Sequence, residues 1–207
     1  MKVGFFILIR EDNILRSVMK KILIGFIAVA LGLAIGLGSL RYIVTTVSGK
    51  IQNGPWITDL TAGGTDAGAY TRARLAMQAL LAMTKDQSVY FIAETDSAGD
   101  TLDAACSYTL NGGDLPTRWW SITIYASDYF FVPNPEKRYA ISKSSLAAQT
   151  DENGQWSASI NNTATANLIS PKAGTFSLMI RHYHPEPIVT EAPESLNLPI
   201  ITRGECK

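Results

Sequence analysis

The feature that most constrains this chain is an uninterrupted apolar run from Ile22 to Leu40, which directly follows Lys20 and Lys21. The run contains Ile, Leu, Gly, Phe, Ala, Val and Ser and carries no charge. A helix of about 20 such residues spans the hydrocarbon core of a bilayer and satisfies its own backbone hydrogen bonds there. We therefore predict that this segment enters or crosses a membrane and that the rest of the chain lies outside the bilayer.

The charges that flank the run predict its orientation. Basic residues concentrate on its N-terminal side, at Lys2, Arg10, Arg16, Lys20 and Lys21. This bias favours an N-terminus inside the cell and an exported C-terminal domain. The alternative is a cleaved signal peptide, since the small residues before Ser39 permit cleavage. The run is longer than the roughly 7–15 apolar residues of a usual signal peptide, so we favour a retained anchor.

The start of the chain has an unusual pattern. Met19, Lys20 and Lys21 look like an initiator followed by the short basic region that precedes an apolar run. We favour a mis-assigned start codon over a short amphipathic cytoplasmic stretch in residues 1–18. The predicted division is a cytoplasmic N-terminus at 1–21, a transmembrane helix or uncleaved signal anchor at 22–41, a linker at 42–55 and a β-sandwich domain at 56–207.

The exported part is slightly acidic, with 13 basic and 16 acidic residues after position 40. It has no basic block, so nucleic acid is not an expected partner. Cys106 and Cys206 are the two cysteines of the chain, and both lie in the exported part. Since an oxidising compartment permits exported thiols to pair, we predict a disulfide between them, with two unrelated thiols as the alternative. No metal motif has their spacing.

The exported part is predicted to be mainly β. One amphipathic helix is predicted from Asp66 to about Thr84, where apolar residues recur at helical spacing. Short β-prone runs between turn signals then predict an antiparallel β-sandwich of jelly-roll type. The seven candidate strands are Val89 to Glu94, Cys106 to Leu110, Trp119 to Tyr125, Tyr129 to Val132, Arg138 to Ser142, Trp156 to Ile160, and Thr175 to Tyr183. The proline-rich tail after Pro185 is expected to run over the surface in extended form.

Aromatic, hydroxyl and guanidinium side chains recur on one face of the predicted strands. Side chains two residues apart in a strand share a face, which brings such groups together. The combination suits a pocket for an anion or a sugar. The alternative is a solvated sheet face with ordinary cross-strand pairs. The candidate ligand-binding residues are Trp119, Ser121, Tyr125, Arg138, Tyr139, Arg181 and Tyr183.

His182 and His184 are the two histidines and are candidate metal ligands. Two imidazoles at this spacing share one face of a strand and can bind zinc or another divalent metal. The same face carries Phe176, Leu178 and Ile180, which predicts that it packs against the core. A hydrogen-bonded His182 at the edge of the core is therefore favoured over a metal site. No third ligand stands out, and no cofactor is expected.

No catalytic constellation stands out in the sequence. Serine nucleophiles of the Gly-x-Ser-x-Gly type are absent. Glu94, Asp96, Asp100 and Asp103 cluster around one predicted turn, and a pair of carboxylates can perform acid–base chemistry on a glycosidic bond. Nothing fixes such a pair at the needed separation, and acidic turns are usually solvated or weak calcium loops. We therefore predict no catalytic residues.

Several stretches in order resemble the bacterial "domain of unknown function 1214" family, in its short form with one N-terminal membrane segment. The resemblance implies a β-sandwich but no reaction, because the family has no agreed activity. Longer relatives carry a fused "domain of unknown function 1254", which implies such a protein as a possible partner. The stretches are Asn53 to Trp56, Tyr70 to Arg74, Cys106 to Tyr108, Arg118 to Ala126, Asn134 to Tyr139, and Gly204 to Cys206.

Two functions are compatible with these features. The first is a non-catalytic module, anchored in the bacterial inner membrane and facing the periplasm, that binds a partner protein or a small ligand. The second is an enzyme that acts on envelope or carbohydrate material through a polar pocket on the sheet face. A deep pocket that contains Arg138, Arg181 and a carboxylate would favour the enzyme. A flat or filled face would favour the module.

Overall fold

The computed structural model describes residues 3–46, 50–77 and 81–206. The chain divides into two compact units, Met1–Val47 and Ser48–Lys207. The first unit contains one helix, α1, from Val3 to Thr46. Within it, Val18–Ser39 is long and apolar enough to cross a membrane, and its side chains are exposed. The predicted apolar segment is therefore a candidate membrane span, and the helix extends beyond it in both directions.

The second unit is a sandwich of two β-sheets, which confirms the predicted mainly β fold. The first sheet has six antiparallel strands in the order β1 (Ile51–Asn53), β2 (Trp56–Thr58), β3 (Ser88–Ala93), β9 (Phe176–Pro185), β5 (Thr117–Ala126) and β6 (Ala140–Ser142). The second has the order β10 (Ile200–Cys206), β4 (Cys106–Gly112), β7 (Trp156–Asn161) and β8 (Leu168–Ile169). Its β7 and β8 are parallel, so the sandwich is not wholly antiparallel.

The core lies between the inner faces of the two sheets. Alternate residues of a strand point to opposite faces, so Ile122 and Ile124 of β5 lie in the core. Aromatic rings connect the sheets: Trp120 of β5 stacks on Trp156 of β7 with ring centroids 5.2 Å apart. Tyr108 of β4 meets Phe176 of β9 edge to face at 5.5 Å. These contacts hold the sheets together and leave the other face of the six-stranded sheet outside the core.

The amphipathic helix is shorter than predicted. Helix α2 spans Ala69–Met77, residues 78–80 lie outside the described residues, and the chain is no longer helical at Leu81. Tertiary contacts fix the segment that follows, because the Met83 N–H donates to Tyr90 Oη at 3.1 Å. Gly63 packs so closely that a Cβ there would meet the Met83 carbonyl oxygen at 2.1 Å. These contacts override the helical spacing, which extends to Thr84.

Two short segments also differ from the prediction. The run Tyr129 to Val132 is not a strand, because a turn returns the chain on itself and the Ala126 N–H donates to the Phe130 carbonyl at 2.9 Å. Strand β1 lies inside the predicted linker and forms a hairpin with β2, in which Gly54 adopts φ 58°. Glycine adopts this left-handed conformation without steric cost. Such short strands carry too few residues to show a period.

The expectation of an extended surface tail is wrong. After Pro185 the chain forms a short helix (Pro187–Glu191), one 3-10 turn (Pro193–Ser195) and then β10. Val189 and Ile201 are buried in the core, and the indole N–H of Trp56 donates to the Pro199 carbonyl at 2.8 Å. The tail is part of the sandwich because a few well-spaced apolar residues are enough to anchor it.

The predicted disulfide is present. Cys106 and Cys206 are direct neighbours in β4 and β10, with Cα atoms 3.9 Å apart. An ion pair secures the same strand, because Arg203 Nε donates to Asp96 Oδ2 at 2.9 Å. The other Asp96 oxygen accepts the N–H groups of Ala98 and Asp100, each at 3.0 Å. The acidic turn of the sequence therefore contains a buried structural carboxylate.

Candidate functional site

A pocket of about 300 Å³ lies on the outer face of the six-stranded sheet. Strand β9 supplies Ser177, Met179, Arg181 and Tyr183. The neighbouring strands supply Tyr90, Ile92 and Tyr125, and the segments beside the sheet add Leu81, Met83 and Tyr129. The volume is at the lower end of the roughly 300–1,000 Å³ of small-molecule sites. The site is thus mostly apolar and aromatic, with one charged group.

The alternation of β9 explains why the pocket forms on this face. Leu178, Ile180 and His182 point into the sandwich, so the residues between them point outward. Arg181 lies between Tyr90 of β3 and Ser121 of β5 in the register of the sheet. The central position of β9 therefore places its one cation in the middle of the outer face.

Arg181 has neutral partners. Its Nη1 donates to Thr123 Oγ1 at 2.8 Å, and its Nη2 donates to Tyr125 Oη. The guanidinium carbon also lies 5.6 Å from the centroid of the Tyr125 ring. Among the described residues, no carboxylate lies within ion-pair distance of Arg181. The pocket therefore contains a half-buried positive charge that has no ion-pair partner in the described part of the chain.

A row of stacked rings borders the pocket on the β5 side. Tyr125 stacks on Phe131 with centroids 5.4 Å apart, and Phe131 stacks on Tyr139 at 5.1 Å. At the other end of the sheet, Trp119 contacts the Tyr183 ring at 5.3 Å. These contacts fix the orientation of the aromatic lining before any ligand binds.

The predicted ligand-binding residues separate into four groups. Tyr125, Arg181 and Tyr183 line the pocket, and Trp119 and Tyr139 adjoin it through ring contacts. Ser121 is buried in the sheet beside Arg181. Arg138 is not part of the lining.

Arg138 instead braces a neighbouring loop. Its Nη1 donates to the Ala166 carbonyl at 2.7 Å. Its backbone N–H donates to Asn134 Oδ1 at 2.8 Å. The sequence around Arg138 does not predict that it binds this loop, because the loop carbonyl groups are distant along the chain.

Several lining residues were missed by the sequence reasoning. Tyr90 and Ile92 alternate with core residues of β3, so the alternation of that strand could have placed them on the outer face. Met83 fell within the predicted helix, and Tyr129 fell within a predicted strand. Their place at the pocket depends on turns and tertiary contacts, for which the sequence carried no usable signal.

The two histidines do not share a face, which corrects the prediction. His182 is fully buried, with its ring 5.3 Å from that of Phe91, and both ring nitrogens lack a hydrogen-bond partner among the described residues. Burial lowers the pKa of His182 to about 4. His184 is exposed and adopts φ 48°, so the strand alternation ends there. Within the described residues, no group of three or more His, Cys, Asp or Glu side chains is placed to hold a metal.

A second groove of about 240 Å³ adjoins the pocket and shares Tyr129 and Ser177 with it. Glu94 lies in this groove. In strand positions it is four residues beyond Tyr90, the β3 neighbour of Arg181, which corresponds to roughly 13 Å along the strand. Glu94 forms no ion pair with Arg181.

These features define a β-sandwich domain with a sheet-face pocket in a chain that also carries a candidate membrane span. Residues 87–187 match the model of the family described as "Protein of unknown function (DUF1214)". The match confirms the resemblance that the sequence motifs indicate, and it covers β3, β5 and β9, which carry most of the pocket. A comparison with curated proteins finds no match.

Two solved structures are similar to this chain. The VPA0106 protein from Vibrio parahaemolyticus aligns over 85% of this chain with a TM-score of 0.59 and 17% identity, which shows a shared fold. The alignment covers 44% of that protein, so this chain spans less than half of its length. An uncharacterized protein from Burkholderia cenocepacia aligns over 58% of this chain and 30% of its own length, with a TM-score of 0.37 and 12% identity.

Proposed function

We propose that this chain is a non-catalytic cell-envelope module whose sheet-face pocket binds a small organic anion with an apolar body. Helix α1 anchors it in the bacterial inner membrane, and the β domain faces the periplasm. The observation that carries the proposal is Arg181, a cation without a carboxylate partner among the described residues, in a pocket of aromatic and aliphatic side chains.

The hydrogen bonds of Arg181 support an anionic ligand. A guanidinium has five N–H donors, and the bonds to Thr123 and Tyr125 use two of them. The remaining donors suit the two oxygens of a carboxylate, which arginine binds bidentately. Because Thr123 and Tyr125 already hold the guanidinium in place, little side-chain entropy is lost when a ligand binds.

The composition of the pocket supports binding over catalysis. Its described lining has no carboxylate, imidazole or thiol, and Glu94 lines the adjoining groove with Ser177 but not the pocket itself. A general base must lie within hydrogen-bond reach of the proton that it removes. The alternative of a carbohydrate-active enzyme predicts Arg138 and a carboxylate in the same pocket as Arg181, and neither is among the lining residues.

The proposal is tested with the full chain in nanodiscs by calorimetric titration with benzoate and with its neutral counterpart benzamide. A ligand of about ten non-hydrogen atoms, at roughly −0.4 kcal/mol per atom, has a Kd of about 1 mM. We expect benzoate to bind in this range and benzamide to bind at least tenfold more weakly. Glucuronate and glucose provide the matching pair for a sugar ligand.

Arg181→Met is the decisive variant, and Arg118→Met on the exposed surface of β5 is its control. Arg181→Met is expected to abolish the preference for the anion, and Arg118→Met to retain it. Equal binding of benzoate and benzamide by the unmodified chain would refute anion recognition. Hydrolysis of a glycoside that depends on Glu94 would favour the enzyme instead.

A second candidate function is the docking of a partner protein. The VPA0106 protein is more than twice the length of the region it shares with this chain, so most of it has no counterpart here. The sequence resemblance implies a "domain of unknown function 1254" protein as the partner. We propose that such a protein binds this chain as a separate subunit, in place of the domain that longer relatives carry on the same chain.

Chemical crosslinking in intact cells, followed by purification from detergent-solubilised membranes, tests this candidate. Recovery of a protein of that family in stoichiometric amount is the expected result. Recovery of the chain alone after efficient crosslinking, with crosslinks confined to the chain itself, would contradict it.

A further inference from the structure

Three consecutive aromatic residues are displayed at one turn of the β domain. Tyr129, Phe130 and Phe131 follow the end of β5, and Phe130 and Phe131 are 67% and 52% exposed. Phenylalanine is among the residues most often buried in soluble domains. A run of exposed aromatic rings therefore indicates a surface that contacts something other than water.

The backbone holds the turn in a defined form. The Ala126 N–H donates to the Phe130 carbonyl at 2.9 Å, and Asp128 Oδ1 accepts the Phe130 N–H at 3.0 Å. Tyr129 adopts φ 65°, a left-handed conformation that is uncommon for a bulky residue. Phe131 is held between the Tyr125 and Tyr139 rings. The fold thus keeps Tyr129 in a strained backbone conformation and leaves the Phe130 ring in solvent. Strained residues of this kind are concentrated at functional sites.

We propose that this aromatic turn, Tyr129 to Phe131, rests in the interface of the bilayer that α1 spans. The inference rests on the proposed membrane anchor. Helix α1 continues beyond the candidate span to Thr46, which adds about 10 Å. From Thr46 to the start of β1 at Ile51 the chain then reaches at most about 18 Å. A domain of 160 residues has a radius of gyration of about 15 Å. In the six-stranded sheet β5 lies four strand spacings, about 19 Å, from β1, so a bilayer is within reach of the turn that follows β5.

The linker between the candidate span and the β domain strengthens a weak contact between the aromatic turn and lipid. Two partly exposed rings give weak membrane binding by themselves, but a short linker raises the effective concentration to the millimolar range. The charges near the turn cancel, since Asp128 and Glu136 offset Lys137 and Arg138. The contact is therefore apolar, and we expect it to persist at high salt and on neutral lipids. Because Tyr129 also lines the pocket, the pocket then opens near the bilayer surface, where amphiphilic anions accumulate.

Site-directed spin labelling of the full chain in phosphatidylcholine vesicles tests the inference. Both native cysteines are in the disulfide, so a single added cysteine is labelled selectively. Labels at Phe130→Cys and, as the matched control, at exposed Ile200→Cys on the other sheet report the environment of the β domain. A third label, at Ala30→Cys in α1, reports whether the anchor lies in lipid.

The measurement is the accessibility of each label to oxygen, which concentrates in lipid, and to a polar nickel chelate, which stays in water. We expect the oxygen-to-nickel ratio at Phe130→Cys to be several-fold higher than at Ile200→Cys, and unchanged in high salt. A label at Ser127→Cys is expected to become several-fold more accessible to nickel when Phe130 and Phe131 are changed to Ser. This second measurement excludes an effect of the apolar label itself.

Three outcomes overturn the inference and are distinguishable. If Ala30→Cys is in lipid and Phe130→Cys resembles Ile200→Cys, the turn is in water and the anchor proposal stands. If Phe130→Cys is shielded from both reagents, a protein covers the turn. If Ala30→Cys is itself in water, the membrane anchor fails, and this inference fails with it.

Discussion

The two faces of the six-stranded sheet are built from the same strands but have different surroundings. On β9, Leu178, Ile180 and His182 point into the sandwich, whereas Met179, Arg181 and Tyr183 form the floor of the pocket. Inner positions must fill a fixed volume between two sheets, so their identity is constrained by packing. Outer positions are constrained by the neighbours across the strands and, under the proposed function, by the ligand. Substitutions on the inner face should therefore change stability, and substitutions on the outer face should change binding.

The largest expected effect is at the centre of the inner face. Ile180→Ala removes a fully buried side chain and leaves a cavity between the sheets. Such substitutions cost about 2–5 kcal/mol, and the central position favours about 4 kcal/mol. Chemical unfolding followed by tryptophan fluorescence measures the loss. The outer-face control is Tyr183→Phe, for which less than about 1 kcal/mol is expected; equal losses at both sites would invalidate the distinction between the faces.

The second expected effect is a pH dependence of stability that arises from His182 on the inner face. His182 is neutral in the fold because burial lowers its pKa to about 4, whereas an unfolded histidine titrates near 6.5. The unfolded state therefore binds more protons between these values, and stability falls as the pH drops from 6.5 towards 4. The loss at pH 4 is about 3 kcal/mol from this group. Unfolding at pH 7 and pH 4 measures it.

His182→Leu should remove that part of the pH dependence, since it leaves an apolar side chain among Val89, Trp120 and Phe91. His184→Leu is the control, because His184 is exposed and should leave the dependence in place. An unchanged pH slope in His182→Leu would assign the acid sensitivity to the carboxylates instead.

The third effect concerns the edge of the other sheet. Cys206→Ser opens a link across 100 residues, for which the chain-entropy model gives roughly 4–5 kcal/mol and measured values are often lower. The Arg203–Asp96 ion pair still holds β10, so we expect a loss of about 2–4 kcal/mol without global unfolding. Thermal unfolding and limited proteolysis near Arg203 report the change. The double variant Cys106→Ser, Cys206→Ser should match the single variant, and a fully stable reduced protein would contradict the prediction.

The sequence predicted the inner face well and the outer face in part, for a physical reason. Strand alternation marks Trp120, Ile122 and Ile124 as core without reference to any other segment. It also places Tyr125, Arg181 and Tyr183 on one face, but it cannot tell which loops close over them. Met83 reaches the pocket through its hydrogen bond to Tyr90 and the close approach of Gly63, and neither contact leaves a local pattern.

For the C-terminal tail and the histidines, a local sequence pattern predicted a structure that tertiary contacts replace with another. Prolines at Pro187 and Pro193 predicted an extended tail, yet each begins a short helical turn, where proline is favoured at the first position. His184 was assigned to the face of His182 by its spacing. Its left-handed backbone, visible in the fold alone, directs it to the surface.

The smallest expected effect on stability accompanies the clearest effect on binding. Arg181→Met keeps an unbranched apolar stem, but it removes the guanidinium and its hydrogen bonds to Thr123 and Tyr125. The Tyr125 side chain lines the pocket, where water can replace the guanidinium, but Thr123 is buried, so the loss of stability should be about 1–2 kcal/mol. Binding of benzoate should weaken by about tenfold or more, because a charge-assisted bidentate contact is lost. Paired calorimetry and unfolding measurements on one preparation test both statements. A loss of stability comparable to that of Ile180→Ala would mean that Arg181 is a structural residue, and the outer face would then be a second packed surface.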